Sequence, residues 1–228
     1  MKARPRAGGD DTGHGGGPAA MTTTAASTRE RLLQAARELI DEGGYRATSV
    51  LAIAERAGVA TGTLYRHFAS KEDLFVEMFR DVCDHEDRAI AAALAGLGQA
   101  PPAVDVVEQI VGTFAQRALR NRRLAWALLA EPLDPRVDAE RLAYRTRSTE
   151  RIAAVLERGI EAGELPEQNV SLTAAAIVGA CGEALVGPLS PLGDGWPGAD
   201  EVVRSLRTFV RRAVGAASTV PAGQPGKR

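Results

Sequence analysis

From Ser27 to about Val214 the apolar residues recur every three or four positions, and nowhere do they alternate with period two, which confines the chain to an all-α fold. Glycine and proline mark the breaks. Ser27 and Glu30 have the spacing at which each side chain satisfies a free backbone N–H at a helix start. Leu32, Leu33, Ala36, Leu39 and Ile40 follow on one face until Gly43-Gly44 stops the helix. A two-turn helix is expected over 50–57, with Thr48 or Ser49 as N-cap, and Gly58 breaks it. A third spans 61–67. Ser70 and Asp73 open a fourth, with Leu74, Phe75, Met78, Phe79 and Val82 in one stripe. Further helices are expected over 103–121, 122–131, 135–162, 172–186 and 200–214. The pattern predicts a three-helix helix-turn-helix unit over 27–86 and a larger helical bundle over 87–217. The Gly-, Ala-, Thr- and Pro-rich stretch 1–26 and the tail 218–228 are expected to be disordered, and Met21 offers an alternative start.

Charge is informative only when localised. The 228 residues carry 28 Lys and Arg against 29 Asp and Glu, net -1, which excludes a uniformly basic nucleic-acid coat protein. Between Gly43 and Lys71, however, Arg46, Arg56, Arg66 and Lys71 face the single carboxylate of Glu55, a net of +3. Cys83 and Cys181 are too few and too far apart for a disulfide framework or a metal knuckle, as suits a reducing cytoplasm. No apolar core follows Lys2, Arg4 and Arg6, so no signal peptide is expected. The longest apolar run, 172–186, falls short of the roughly 20 residues a membrane helix needs and contains Glu183. A soluble, cytoplasmic protein without cofactor, metal or membrane partner is expected.

Residues 46–71 hold the chemistry. Two short helices about Gly58, framed by longer ones, are the arrangement that lays a second helix in the major groove of double-stranded DNA. In that second helix Leu64 and Phe68 must turn inward, with Val59 entering from the turn. The opposite face then holds Gly62 and Arg66, flanked by Thr63, Tyr65 and His67: donors, one cation and no carboxylate. Gly62 costs about 1 kcal/mol of helix propensity but would let the backbone approach a groove closely. Lys71 lies in the first turn of the fourth helix, where a cation is mildly unfavourable, and is expected to bind a backbone phosphate there. An enzyme is not supported. His14-Gly15-Gly16-Gly17 imitates an oxyanion loop, yet no G-x-S-x-G supplies a nucleophile. Asp84-His85-Glu86-Asp87 has metal-binding residue types, but neighbours on a helix diverge.

Thr48-Ser49-Val50, Ile53-Ala54, Ala57-Gly58-Val59, Gly62-Thr63-Leu64-Tyr65, His67-Phe68 and Lys71-Glu72-x-Leu74 resemble the DNA-binding segment of TetR-type transcriptional regulators, over about residues 28–80. The chain departs from that pattern at Ala60, where the family has Ser or Thr as helix cap; Thr61 is expected to cap instead. The resemblance implies DNA contacts by Arg46, Thr48, Thr61, Gly62, Thr63, Tyr65, Arg66, His67 and Lys71, with phosphate roles for Tyr65, His67 and Lys71. It also implies a C-terminal bundle that binds a small-molecule effector and forms a homodimer. Phe79, Phe114, Trp126 and Tyr144 are the candidate pocket residues, with Arg117, Arg145 or Glu183 as polar anchor. Ala176, Ala180 and Ala184, with Leu206 and Phe209 of the last helix, are the candidate dimer interface; Val202, Val203 and Val210 belong to the same stripe. The function implied is a repressor that leaves a palindromic operator when its ligand binds. The alternatives are a helical protein-interaction module, or an enzyme, in which the helix-turn-helix serves only for packing.

Overall fold

A computed structural model describes residues 27–131, 134–193 and 195–215. The expectations for 1–26, including Met21 and the His14 motif, and for the tail 218–228 fall outside these. The described residues form α1 (Thr28–Gly43), α2 (Val50–Arg56), α3 (Thr61–His67), α4 (Lys71–Ala95), α5 (Ala103–Arg120), α6 (Arg122–Leu129), α7 (Pro135–Glu161), α8 (Val170–Leu189) and α9 (Ala199–Ala213), with no strand among them.

Local chemistry explains most helix ends. Ser27 and Glu30 form the expected reciprocal cap, with Glu30 N donating to Ser27 Oγ at 3.2 Å and Ser27 N to Glu30 Oε2 at 2.7 Å. Gly44 ends α1 at φ 80°, a conformation that favours glycine. Ser70 Oγ accepts from Asp73 N at the start of α4. Ser49, not Thr48, caps α2, because Thr48 is buried and its hydroxyl donates to Gly44 O at 2.9 Å. Ala60 occupies the N-cap of α3 without a side-chain bond and Thr61 lies inside the helix, so the cap expected of Thr61 does not form. Asn169 caps α8 two residues earlier than expected, and the helix runs through Pro188 to Leu189. Gly187 is needed there, since any Cβ would run into the Trp196 ring.

Two apolar clusters result. One gathers Leu32, Ile40, Ile53, Leu64, Phe68, Phe75 and Met78, and also takes in Ala127, Leu128 and Val137 from α6 and α7. The N-terminal unit is therefore packed onto the bundle rather than tethered to it. The second cluster surrounds α5, which packs against α4, α7, α8 and α9. Val202, Val203, Leu206 and Val210 turn α9 onto α5, most closely where Gly112 leaves room for Arg207. Leu206, expected at a dimer face, is thus core of the single chain, and so are those three valines.

Candidate nucleic-acid interface and ligand cavity

The turn at Gly58, φ 67°, sets α3 across α2 with Leu64 and Phe68 in the core and Val59 half-buried beside them. Gly62, Tyr65, Arg66 and His67 face solvent, Tyr65 at 53% exposure, while Thr61 and Thr63 are half-buried. A Cβ on Gly62 would meet nothing within 4 Å, so nothing inside the chain requires glycine there. Arg66 Nη2 donates to Thr63 Oγ1 at 2.9 Å, which orients the guanidinium along the helix before any partner arrives. Arg46 is exposed in the turn between α1 and α2.

Two expected features of this surface need correction. Thr48, only 3% exposed and bonded to Gly44 O, cannot present its hydroxyl to DNA. Arg56 contributes little to the local positive field, because Glu42 holds it through two bonds of 2.8 Å and Glu38 lies at 3.4 Å. Lys71, expected to bind a phosphate, is half-buried and already has a partner within the chain. Its Nζ donates to Tyr45 O at 3.1 Å and sits 4.1 Å from the centre of the Tyr45 ring, and burial pulls its pKa down. Tyr45 in turn packs edge-on against Phe75 at 4.4 Å. Lys71 therefore pins the α1–α2 turn to the start of α4, with two ammonium N–H donors left over.

A cavity of about 360 Å³ opens where α1, α4, α5, α6 and α7 meet. Of the residues expected there, Phe79, Phe114 and Tyr144 line it, as do Arg117 and Arg145. Trp126 does not: Leu124, Ala125, Leu128 and Leu129 carry α6's cavity face, and at about 100° per residue Trp126 turns away into the bundle core. Glu183 is exposed on α8 and does not line the cavity. Sequence reasoning missed the α1 wall, Gln34, Arg37, Glu38 and Asp41, whose polar spacing reads as an ordinary solvated face. It also missed Arg141, which lines the cavity while donating to Leu128 O at 2.6 Å, Glu131 O at 2.8 Å and Ala127 O at 2.9 Å. The Glu131 carboxylate accepts from Tyr45 N at 3.3 Å, so the cavity wall and the helix-turn-helix share a continuous set of hydrogen bonds.

On α8, Ala174, Ile177, Cys181 and Leu185 are buried while Leu172, Ala176, Gly179, Glu183 and Ala184 are exposed and Ala180 is half-buried. The helix is long and apolar enough to cross a membrane by length and composition, mean hydropathy 1.7, with only 22% of its apolar window buried. Phe209 of α9 is 40% exposed.

Two family models match the chain: the bacterial regulatory proteins of the tetR family over residues 32–78, and the tetracyclin repressor-like C-terminal domain over 100–185. The HTH-type transcriptional regulator UidR of Escherichia coli K12 is 30% identical over 148 residues, which are 64% of this chain and 74% of that protein. The HTH-type transcriptional repressor KstR2 of Mycolicibacterium smegmatis is 46% identical over 58 residues, 25% of this chain and 28% of its own length. A TetR/AcrR-family regulator from Thermobifida fusca superposes with a TM-score of 0.63 at 27% identity, covering 80% of this chain and 95% of its own.

Proposed function

Because this chain belongs to the tetR family of bacterial regulatory proteins, DNA-binding transcriptional regulators rather than enzymes, we propose that it is a homodimeric cytoplasmic repressor released from a palindromic operator by a small molecule. The observation that carries the DNA-binding role is the outer face of α3: Tyr65, Arg66 and His67 beside an unfilled Gly62, with no carboxylate among them. Two such helices, one per protomer, enter successive major grooves about 34–36 Å apart. Tyr65, His67 and Lys71 contact phosphates, Lys71 through the donors not spent on Tyr45, and Arg46 adds positive charge at the edge. Arg66, Thr61 and Thr63 face the bases. Residues 27–86 form the DNA-binding domain and 87–217 the effector and dimer domain, with α8 and the Phe209 edge of α9 as the dimer surface.

Release follows if the ligand prefers the conformation that does not fit DNA. The cavity wall includes α1 and α4, and Arg141, Glu131 and Tyr45 join it to the α1–α2 turn. A molecule wedged there acts on the recognition unit directly.

Selection of bound sequences from a random DNA pool tests the proposal: a palindromic consensus is expected, and no enrichment would overturn it. On the selected operator, Arg66→Ala should change which bases are preferred, at a cost of about 1–3 kcal/mol, whereas Tyr65→Ala should weaken all sequences alike. Gly62→Ala separates folding from function. Relieved of the glycine penalty and meeting no neighbour, it should stabilise the fold by up to about 1 kcal/mol while operator affinity falls. Titrating the operator and melting the free protein in parallel checks both signs; unchanged affinity would show that the α3 backbone does not approach the groove.

A further inference from the structure

We propose that the cavity between α1 and the bundle takes an amphipathic monoacid, an apolar body ending in a carboxylate held at the Tyr144–Arg145 end of the lining. This rests on the reading of the cavity as the effector site. Its body-binding part is apolar: Phe79, Val82, Phe114, Leu124, Leu128 and Leu129 contribute to the wall. The polar part is unbalanced in one direction, toward donors.

Each lining carboxylate is already committed. Glu86 accepts from Arg117 Nε at 2.7 Å, and Glu38 accepts from Gln34 at 2.8 Å and lies 3.4 Å from Arg56. Asp41 Oδ1 accepts from Leu124 N at 3.4 Å, where it serves the first turn of α6, a helix whose own N-cap Asn121 makes no side-chain cap. The donors, by contrast, are incompletely used. Arg37 Nε is buried with no acceptor among the described residues, although Nη1 of the same guanidinium lies 2.7 Å from Asp81 Oδ2. Arg145 has no carboxylate partner among the described residues, and Arg117 spends only Nε on Glu86. The Tyr144 hydroxyl has no hydrogen-bond partner among the described residues, and burial pushes its pKa up, so it stays a neutral donor. Burial of Arg37 Nε without an acceptor costs free energy that an incoming anion recovers, while exposed Arg145 and half-buried Tyr144 and Arg117 offer that anion charge and hydrogen bonds. A cationic head would meet these donors and only carboxylates that already have partners. A neutral oxygen would accept from these donors but bring no charge to pair with the guanidinium groups, and so would bind more weakly.

The test uses three probes of one chain length, decanoate, decanol and decylamine, the two ionic ones below their micelle concentration and decanol below its solubility limit, with the full-length protein. Decanoate should raise the melting midpoint and bind at least tenfold more tightly than the other two. Tyr144→Phe with Arg145→Gln, first shown to melt like wild type without ligand, should remove that tenfold preference and leave decanol binding unchanged. Tighter binding of decylamine, equal binding of all three, no binding of any, or a preference that survives the double substitution would each overturn the assignment. Operator release is scored separately. Selective decanoate binding without release upholds the ligand class and overturns the effector reading, whereas release by decanol or decylamine alone does the reverse.

Discussion

Replacing Arg141 with alanine is expected to cost about 3 kcal/mol of folding stability, read as a lower urea midpoint with an unchanged slope. The reason lies at the end of α6. That helix has eight residues, no basic residue in its last turn and no left-handed glycine behind it, so its final carbonyls lack the usual local partners. One guanidinium from α7 supplies them. Arg141 is 14% exposed and reaches Ala127 O, Leu128 O and Glu131 O while Asp138 holds its remaining side at 2.8 Å. Truncation strands three partly buried acceptors, whereas the Asp138 carboxylate, 59% exposed, stays hydrated. Arg141→Lys should recover less than half of the loss, because an ammonium point charge cannot span three carbonyls in the plane of a fork. Ala127 and Leu128 belong to the same apolar cluster as Leu64 and Phe68, so the recognition unit should loosen as well. Operator affinity should therefore fall by more than the folded fraction alone predicts. A loss under 1 kcal/mol would mean that water replaces the guanidinium freely.

What could be read from the chain beforehand was whatever depends on neighbours in sequence. The Ser27–Glu30 and Ser70–Asp73 caps, the stop at Gly44 and the inward pair Leu64 and Phe68 are set by spacing of three or four residues, and the all-helical fold follows from the same period. The resemblance of 28–80 to TetR-type regulators identified the family for the same reason. What failed depends on the bend at Gly44 or on partners farther along the chain, neither of which the helical period reports. Thr48 carries the right side chain for a cap or a DNA contact, but the bend at Gly44 turns its hydroxyl inward. The +3 stretch omitted Glu42, one residue outside its boundary and bound to Arg56. The stripe on α9 was read correctly as apolar, yet α5 rather than a second copy covers Leu206. Trp126, expected at the cavity, is turned away from it, and Arg141, to which the sequence assigned no role, lines it, because the packing of α6 and α7 sets which side of each helix meets the cavity. The α8 stripe fared differently, since small residues there are left facing outward.

Gly179→Arg on that stripe should abolish the dimer and lower operator affinity by 10²-fold or more, the scale on which two linked half-site contacts exceed one. A Cβ at Gly179 or Gly182 meets nothing within 4 Å, so the single chain has no packing reason for glycine at either position. Glycine costs helix stability, and the compensation expected is close approach of another helix. Leu172, 67% exposed, lies on one face with Ala176 and Gly179 at three- and four-residue spacing, an apolar, small-residue strip that ends at Glu183 and that a partner helix would cover. The arginine should leave the protomer folded, with slightly better helix propensity, while it blocks the approach. Sedimentation equilibrium gives the oligomeric state directly. Because dimerisation adds concentration-dependent stability, the melting midpoint of wild type should rise with protein concentration and that of the variant should not. A variant that stays dimeric would move the interface off α8. A monomer that keeps full operator affinity would instead show that one recognition helix suffices, and would overturn the palindromic mode of binding.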